Sequence, residues 1–391
     1  MTKGNPQTDL HGKPENLMTQ VIEVNDIEQL EDYRLTWNAL HGETRGGSFF
    51  QTLDWLQCYW RHFGEGQRLR VLMVSSGGKP VGIVPLTVIR ERTGVGSMRV
   101  LTYPLHAWGW FYGPIGPHPT ATLTAAMQHI AGSPRDWDMI DLRWVDSDRT
   151  DRGRTESAMT AAGFLANKRV WQPTAVVDTE GGWDAYMAAK TTKQRNNLRR
   201  YEKRVAKLGD VAYERYRPLG TAHDDDDPRW DFYDDCVRVA SESWQATAED
   251  GTTISDPKVG AFFRDSYELA VRHGMADLTL LKVGDRPIAF SYNYVNNGYV
   301  MGVRFGYVSD LSKAGVGNVM YLRMLEDCFE REDATFDLGV GSLDIKRFWQ
   351  TSQVNSYCYT HYPIASPRSQ VLRLKHWWDG RKEDDSKQLA G

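Results

Sequence analysis

Cysteine is scarce in this chain of 391 residues. The four present, Cys58, Cys236, Cys328 and Cys358, lie far apart with no Cys-x-x-Cys pair. That excludes a disulfide frame and a zinc ribbon, and it suits reduced thiols packed in a cytosolic core. No window approaches the roughly 18 consecutive apolar residues that a membrane span requires. The first 19 residues are polar and lack the apolar segment of a signal peptide, so a cytoplasmic protein is expected. Neither sign of charge dominates, the net charge being −4. The chain as a whole is therefore no DNA-binding polyelectrolyte, and any basic surface must be local. Gly-x-Ser-x-Gly, His-Glu-x-x-His and paired metal-ligand spacings are missing as well. Hydrolase and metalloenzyme classes drop accordingly, and no metal is expected.

What is present is an ordinary globular composition, 41% hydrophobic with 14 Trp, long enough for two domains. Two segments repeat one pattern. VLMVSSGGKPVGIVPLTV from Val71 and TLLKVGDRPIAFSYNYV from Thr279 each read as strand, Gly turn, basic residue, Pro, strand. A third strand follows in each, MRVLTY from Met98 and YVMGVRF from Tyr299, the latter after an Asn297-Gly298 hairpin signal. A Gly/Pro loop, a helix and a closing strand with Asp141-Leu142 or Asp337-Leu338 complete each unit. This order of elements predicts a duplicated α/β fold, each half a mixed, mostly antiparallel sheet flanked by helices. The expected division is a disordered terminus over 1–19, a first domain over 20–170, a second over 171–378 and a disordered tail over 379–391.

The segment Ser312 to Phe329 reads as an amphipathic helix with glycines at its entrance. Gly315 and Gly317 permit close backbone approach, and the free N–H groups of Val316, Gly317 and Asn318 favour an anion such as a pyrophosphate. Glycines also begin helices for steric reasons alone. The corresponding helix start in the first half, Pro117-His118-Pro119, removes N–H donors, so no pyrophosphate is expected there.

Two further stretches stand out. Lys190 to Lys207 carries eight Lys or Arg, Arg195 among them, with Leu198, Tyr201, Val205 and Leu208 at helical spacing. Its basic face reads as a solvated surface, a phosphate contact or an RNA contact. The loop LHAWGWFYGPIGPHP, with His106, Trp108 and Tyr112, holds too many aromatics for a simple connection. It either lines an acceptor pocket or plugs the first core.

Strand, glycine loop and helix in this order resemble the acyl-CoA site of the GNAT acyltransferase superfamily. Gly315 and Gly317 match its Arg/Gln-x-x-Gly-x-Gly/Ala motif, with Ser312 in the leading position and Lys313 beside it. The segments SFFQTLDWLQCYWRHFG, KTTKQRNNLRRYEKRVAKLG and FDLGVGSLDIKRFW resemble the CelD/BcsL-type branch, tandem GNAT proteins related to the Fem aminoacyltransferases. Asp337, Gly339, Gly341 and Lys346 match that branch's terminal motif, and Ile345 stands where Tyr is usual. The resemblance implies an acyl-CoA-dependent N-acyltransferase, with acetyl-CoA or another acyl-CoA held at Lys313 and Gly315 to Asn318. The acceptor is then a small-molecule or glycan amine. Lys346 is cast as oxyanion or phosphate stabiliser, and Asp337 or Asp344 as proton acceptor. His106, Trp108, Tyr112, Arg195 and the Glu242-x-Trp244 element are candidate acceptor contacts. The Fem relationship makes aminoacyl-tRNA the second-ranked donor. A catalytically silent GNAT-fold binding protein is the third reading.

Overall fold

The computed structural model describes residues 19–105, 109–247, 253–341 and 343–388. The first half supplies strands β1 (Thr19–Val24), β2 (Arg68–Ser76), β3 (Lys79–Thr93), β4 (Gly96–Thr102), β5 (Met139–Val145) and β6 (Asn167–Asp178). Its helices are α1 (Arg34–Gly42), α2 (Leu53–Phe63), α3 (Pro119–Gly132) and α4 (Arg154–Ala161). The second supplies β7 (Val211–Tyr216), β8 (Ala276–Val283), β9 (Arg286–Asn296), β10 (Tyr299–Tyr307), β11 (Thr335–Asp337) and β12 (Ser352–His361). Its helices are α5 (Gly182–Ala188), α6 (Thr192–Ala206), α7 (Trp230–Glu242), α8 (Gly260–Arg272), α9 (Val316–Glu330), α10 (Leu343–Lys346) and α11 (Pro367–Gln388).

Local chemistry accounts for many of these elements. The β9–β10 hairpin turns through Asn297 and Gly298, both at positive φ, as the Asn-Gly signal demands. Thr191 and Gln194 form a reciprocal capping box that starts α6. The long apolar run in β3 is buried from Gly82 to Val88, because helices cover both faces of the sheet there.

All the strands join one sheet in the order β1-β2-β3-β4-β5-β12-β6-β11-β10-β9-β8-β7. The two halves therefore lie side by side in one sheet, in opposite strand order, with one strand of each exchanged. Each sends its last strand across the middle. β12, from the second half, pairs with β5, and β6, from the first, pairs with β11. The two exchanged strands also pair with each other. Buried aspartates record the exchange: Thr174 on β6 donates to Asp337 Oδ1 at 2.6 Å, and Thr360 on β12 donates to Asp141 Oδ1 at 2.7 Å.

The division expected at residues 170 and 171 consequently falls inside β6, where no linker exists. The physical reason is that a strand hydrogen-bonded on both sides reads in sequence like any strand at the start of a new unit. The tail expected to be disordered continues α11 as far as Gln388. The rest of both termini, like His106 and Trp108, lies outside the described residues.

Away from the strand exchange, the helices also tie the halves together. α2 packs on α8, with Trp55 edge-on to Phe262 at 5.3 Å between centroids and His62 Nε2 2.8 Å from Asp265 Oδ2. His273 and Asp54 make a second such pair at 2.6 Å. One hydrophobic core runs through residues of both halves. All four cysteines are buried thiols. Among the described residues no helix is long and apolar enough to cross a membrane.

Candidate active site

β10 and β11 run parallel for only three residue pairs, ending at Met301 opposite Asp337, and then part. Gly339 makes the divergence tight. It sits at φ +80°, and a Cβ there would lie 2.6 Å from the Gly302 carbonyl oxygen. Only glycine fits so close to the neighbouring backbone in the left-handed region.

Asp337, at the point of divergence, is fully buried. Its Oδ1 accepts from Thr174 Oγ1 at 2.6 Å and from the Gly339 N–H at 2.9 Å. Its Oδ2 accepts from Trp110 Nε1 at 2.7 Å and Tyr299 Oη at 2.8 Å. Four donors drawn from both halves occupy both oxygens. A carboxylate held this way fixes positions around it and has no free lone pair facing a substrate proton, so the proton-acceptor role expected for Asp337 finds no geometric support. Asp344 fits no better: its side chain is 86% exposed and pairs with Arg347 on the same helical turn.

Lys346 differs from both. Although at a helix end, it is only 9% exposed. Its Nζ donates to the carbonyls of Gly339 at 2.6 Å and Val340 at 2.7 Å. Burial lowers its pKa to about 8, against the pull of Asp337. Lys190 makes a parallel arrangement, donating to the carbonyls of Phe348 and Trp349, and burial lowers it to about 8 as well. Two ammonium groups thus hold the chain on either side of α10.

At the entrance of α9, Gly315 takes φ +85°, and a Cβ would lie 2.2 Å from the Tyr201 ring; a Cβ on Gly317 would lie 2.9 Å from Tyr307. Steric fit accounts for both glycines. The Asn318 N–H is already spent on the Gly315 carbonyl at 3.0 Å. Among the described residues the N–H groups of Val316, a buried residue, and half-buried Gly317 have no backbone acceptor, so two of the three expected donors are not spent within the helix. Lys313 is exposed beside them, and its carbonyl accepts from Arg204 of α6. The basic face of α6 therefore flanks the α9 entrance, with Lys193, Arg199, Arg200, Lys203 and Arg204 exposed.

The other expected contacts scatter. Arg195 donates to the carbonyls of Met187, Ala188 and Lys190, so it caps the end of α5 rather than meeting a substrate. Glu242 pairs with Arg286, which also holds Asp310, and Ser243 bridges to Val308. Glu242 and the 59%-exposed Trp244 accordingly stand beside the loop leading to α9. Tyr112 is buried against Tyr103, and its N–H donates to the Trp144 carbonyl. Tyr112 thus ties the described part of the aromatic loop to the end of β5.

Beside that loop lies a cleft of about 940 Å³, which the sequence did not reveal. Tyr59, Phe63, Tyr103, Trp144 and Trp171 give it aromatic walls, and Arg90, Glu91 and Arg143 give it charge. Val340 and Gly341, the loop carrying the carbonyl on Lys346, close its far side. Arg143 lies over the Trp171 ring at 4.7 Å. Trp144 takes φ +64° and stacks on Trp110 at 5.2 Å, a strained backbone beside the Asp337 contact. Thr174, Tyr299 and the cleft residues other than Gly341, which belongs to the terminal motif, come from distant segments and were not marked as site residues by any local signal. Trp110 lay within the aromatic loop, and its surplus of Trp was the one available hint.

Residues 192–347 match the acetyltransferase (GNAT) domain family. That match lies within the second half of the chain, which thus carries a GNAT-type acetyltransferase domain. No curated protein sequence matches the chain. Among solved structures, the chain is similar to FemX, with 13% identity, 90% of this chain and 99% of that one covered, and a TM-score of 0.56. It is similar also to L-PGS from Bacillus licheniformis, with 16% identity, 90% and 96% covered, and a TM-score of 0.51. At these identities the likeness is one of fold, and it covers both halves of this chain.

Proposed function

We propose that the protein is an N-acyltransferase that moves an acyl group from an acyl-CoA, acetyl-CoA in the simplest case, to an amine acceptor. The donor lies with its pyrophosphate at the N–H groups of Val316 and Gly317 and its acyl end between the parted strands β10 and β11. The acceptor enters through the aromatic cleft. The observation that carries this reading is the position of Lys346, whose two carbonyl partners belong to the loop that lines the acceptor cleft on one side and the strand divergence on the other. An ammonium there favours negative charge developing on the thioester oxygen as the amine attacks, and holding both reactants at this point supplies the proximity term. The tetrahedral intermediate collapses with cleavage of its C–S bond, and the amine proton passes through water to the departing CoA sulfur, which leaves as the thiol, since Asp337 is saturated. Asp337 and Trp110 act as positioning residues.

The exposed basic face of α6 supports a second reading, in which the donor is an aminoacyl-tRNA and the face meets its phosphates. Calorimetric titration of the wild type and of Arg204→Glu with acetyl-CoA and CoA at low salt separates the two. Micromolar binding weakened by the variant is expected. If neither ligand binds, and transfer from charged tRNA is lost on ribonuclease treatment, the acyl-CoA reading gives way to the second.

A further inference from the structure

Helix α11 carries apolar residues on two sides, one docked on the sheet and one left in solvent. Its inner side is anchored: Leu372 is 3% exposed in a cluster with Met98, Val100, Met139 and Tyr362. Ser369 Oγ donates to the Asp138 carbonyl at 2.6 Å, and His376 Nδ1 lies 2.7 Å from Tyr362 Oη. On the opposite side Val371, Leu374 and Trp378, spaced i, i+3 and i+7, form one stripe at 55%, 63% and 58% exposure. Ile364, in the turn before the helix, is 89% exposed. The docked inner face prevents the helix from rolling these residues inward. Such a ridge is costly to leave in water, and apolar exposure clustered on one helix marks an interaction surface.

Charge says what covers it. The half of α11 that bears the ridge, up to Trp378, carries Arg368, Arg373 and Lys375 and no Asp or Glu, while the half beyond it, from Asp379, is mixed in charge, so that six Lys or Arg face four Asp or Glu over the whole helix. All three cations are exposed, and among the described residues none forms an ion pair with a carboxylate. They flank the ridge on both sides. This local excess of positive charge stands in a chain whose net charge is −4. A convex apolar ridge ending in Trp and bordered by unpaired cations matches a bilayer interface, where the ridge enters the acyl boundary and the cations meet anionic headgroups.

We infer that α11 is a membrane-surface helix that docks the protein on anionic lipid, through Val371, Leu374 and Trp378 in the interface and Arg368, Arg373 and Lys375 at the headgroups. The full chain is tested by flotation with vesicles of phosphatidylcholine, with and without phosphatidylglycerol, at low and high salt. The protein floats with the anionic vesicles only, and added salt releases part of it. Leu374→Glu with Trp378→Glu, and separately Arg368→Glu with Lys375→Glu, each lower partitioning at least about tenfold while far-UV circular dichroism and melting temperature stay as in the wild type. Absence of flotation with anionic vesicles overturns the proposal, as does flotation that either pair of substitutions leaves intact. A dimer in solution that Leu374→Glu with Trp378→Glu dissociates assigns the ridge to a second copy of the chain and overturns it too.

Discussion

The indole of Trp110, in the first half, donates from Nε1 to Oδ2 of Asp337, in the second, at 2.7 Å, with both side chains buried. The strand divergence of the second half is thereby held by a residue from the first. Trp110→Phe keeps the ring and removes the donor, leaving a buried carboxylate oxygen with one partner fewer. A loss of about 1–3 kcal/mol in unfolding free energy is expected by denaturant titration. If Trp110 positions the divergence, kcat falls while donor affinity holds; an unchanged kcat would confine the contact to stability.

Lys346→Ala should lower kcat about 100-fold, the scale of losing one preorganised oxyanion partner. Since burial holds the ammonium at about 8, the charged form is lost as pH rises through that value, and activity should fall on the alkaline side of it. Lys346→Arg, always charged, should move that fall to higher pH. A pH profile that the Arg variant leaves in place would remove Lys346 from the chemistry.

Asp277 is fully buried between Arg215, at 2.7 Å, and Arg217, at 3.3 Å. Burial by itself would raise its carboxyl, but the two guanidinium groups outweigh it and hold it at about 2. The folded value lies below the unfolded 3.8, so this contribution to stability is complete above 3.8 and drains away as pH falls towards 2. Asp277→Ala leaves buried arginine charge short of a partner and should cost about 3–5 kcal/mol at neutral pH. In acid, the stability gap between variant and wild type should narrow across that same window, and a constant gap would argue against the linkage.

Gly315→Ala forces a side chain into φ +85° and against Tyr201. It should destabilise by about 1 kcal/mol or more. Adding Tyr201→Ala should restore only the part due to the clash, which a double-mutant cycle measures as a favourable coupling. Equal destabilisation with and without the Tyr201 ring would show that backbone strain alone demands glycine.

Exchange of β6 and β12 makes the halves interdependent. Residues 1–166 expressed alone would end in an unpaired β5 edge, so a poorly soluble, unfolded product is expected, and the intact chain should melt in a single transition by calorimetry. Two resolved transitions would mean that each half folds by its own means.

The sequence by itself determined the repeated order of elements, the hairpins, the glycine-led start of α9 and the basic face of α6. These depend on neighbours within a few residues, where hydrophobic period, turn chemistry and charge spacing act directly. Lys346 and Asp337 were named through a terminal motif, yet their difference was not legible in it. One lysine and one aspartate read alike as loop charges until burial and partners are known. Only the tertiary structure decided that Asp337 is saturated by Thr174, Tyr299, Trp110 and Gly339, that Arg195 is a helix cap, and that an aromatic cleft lies against Val340 and Gly341. It alone decided the strand exchange as well. Strand order and the filling of a carboxylate's lone pairs are set by contacts between segments more than a hundred residues apart, such as Thr174 and Asp337, and no local pattern encodes which distant donor will arrive.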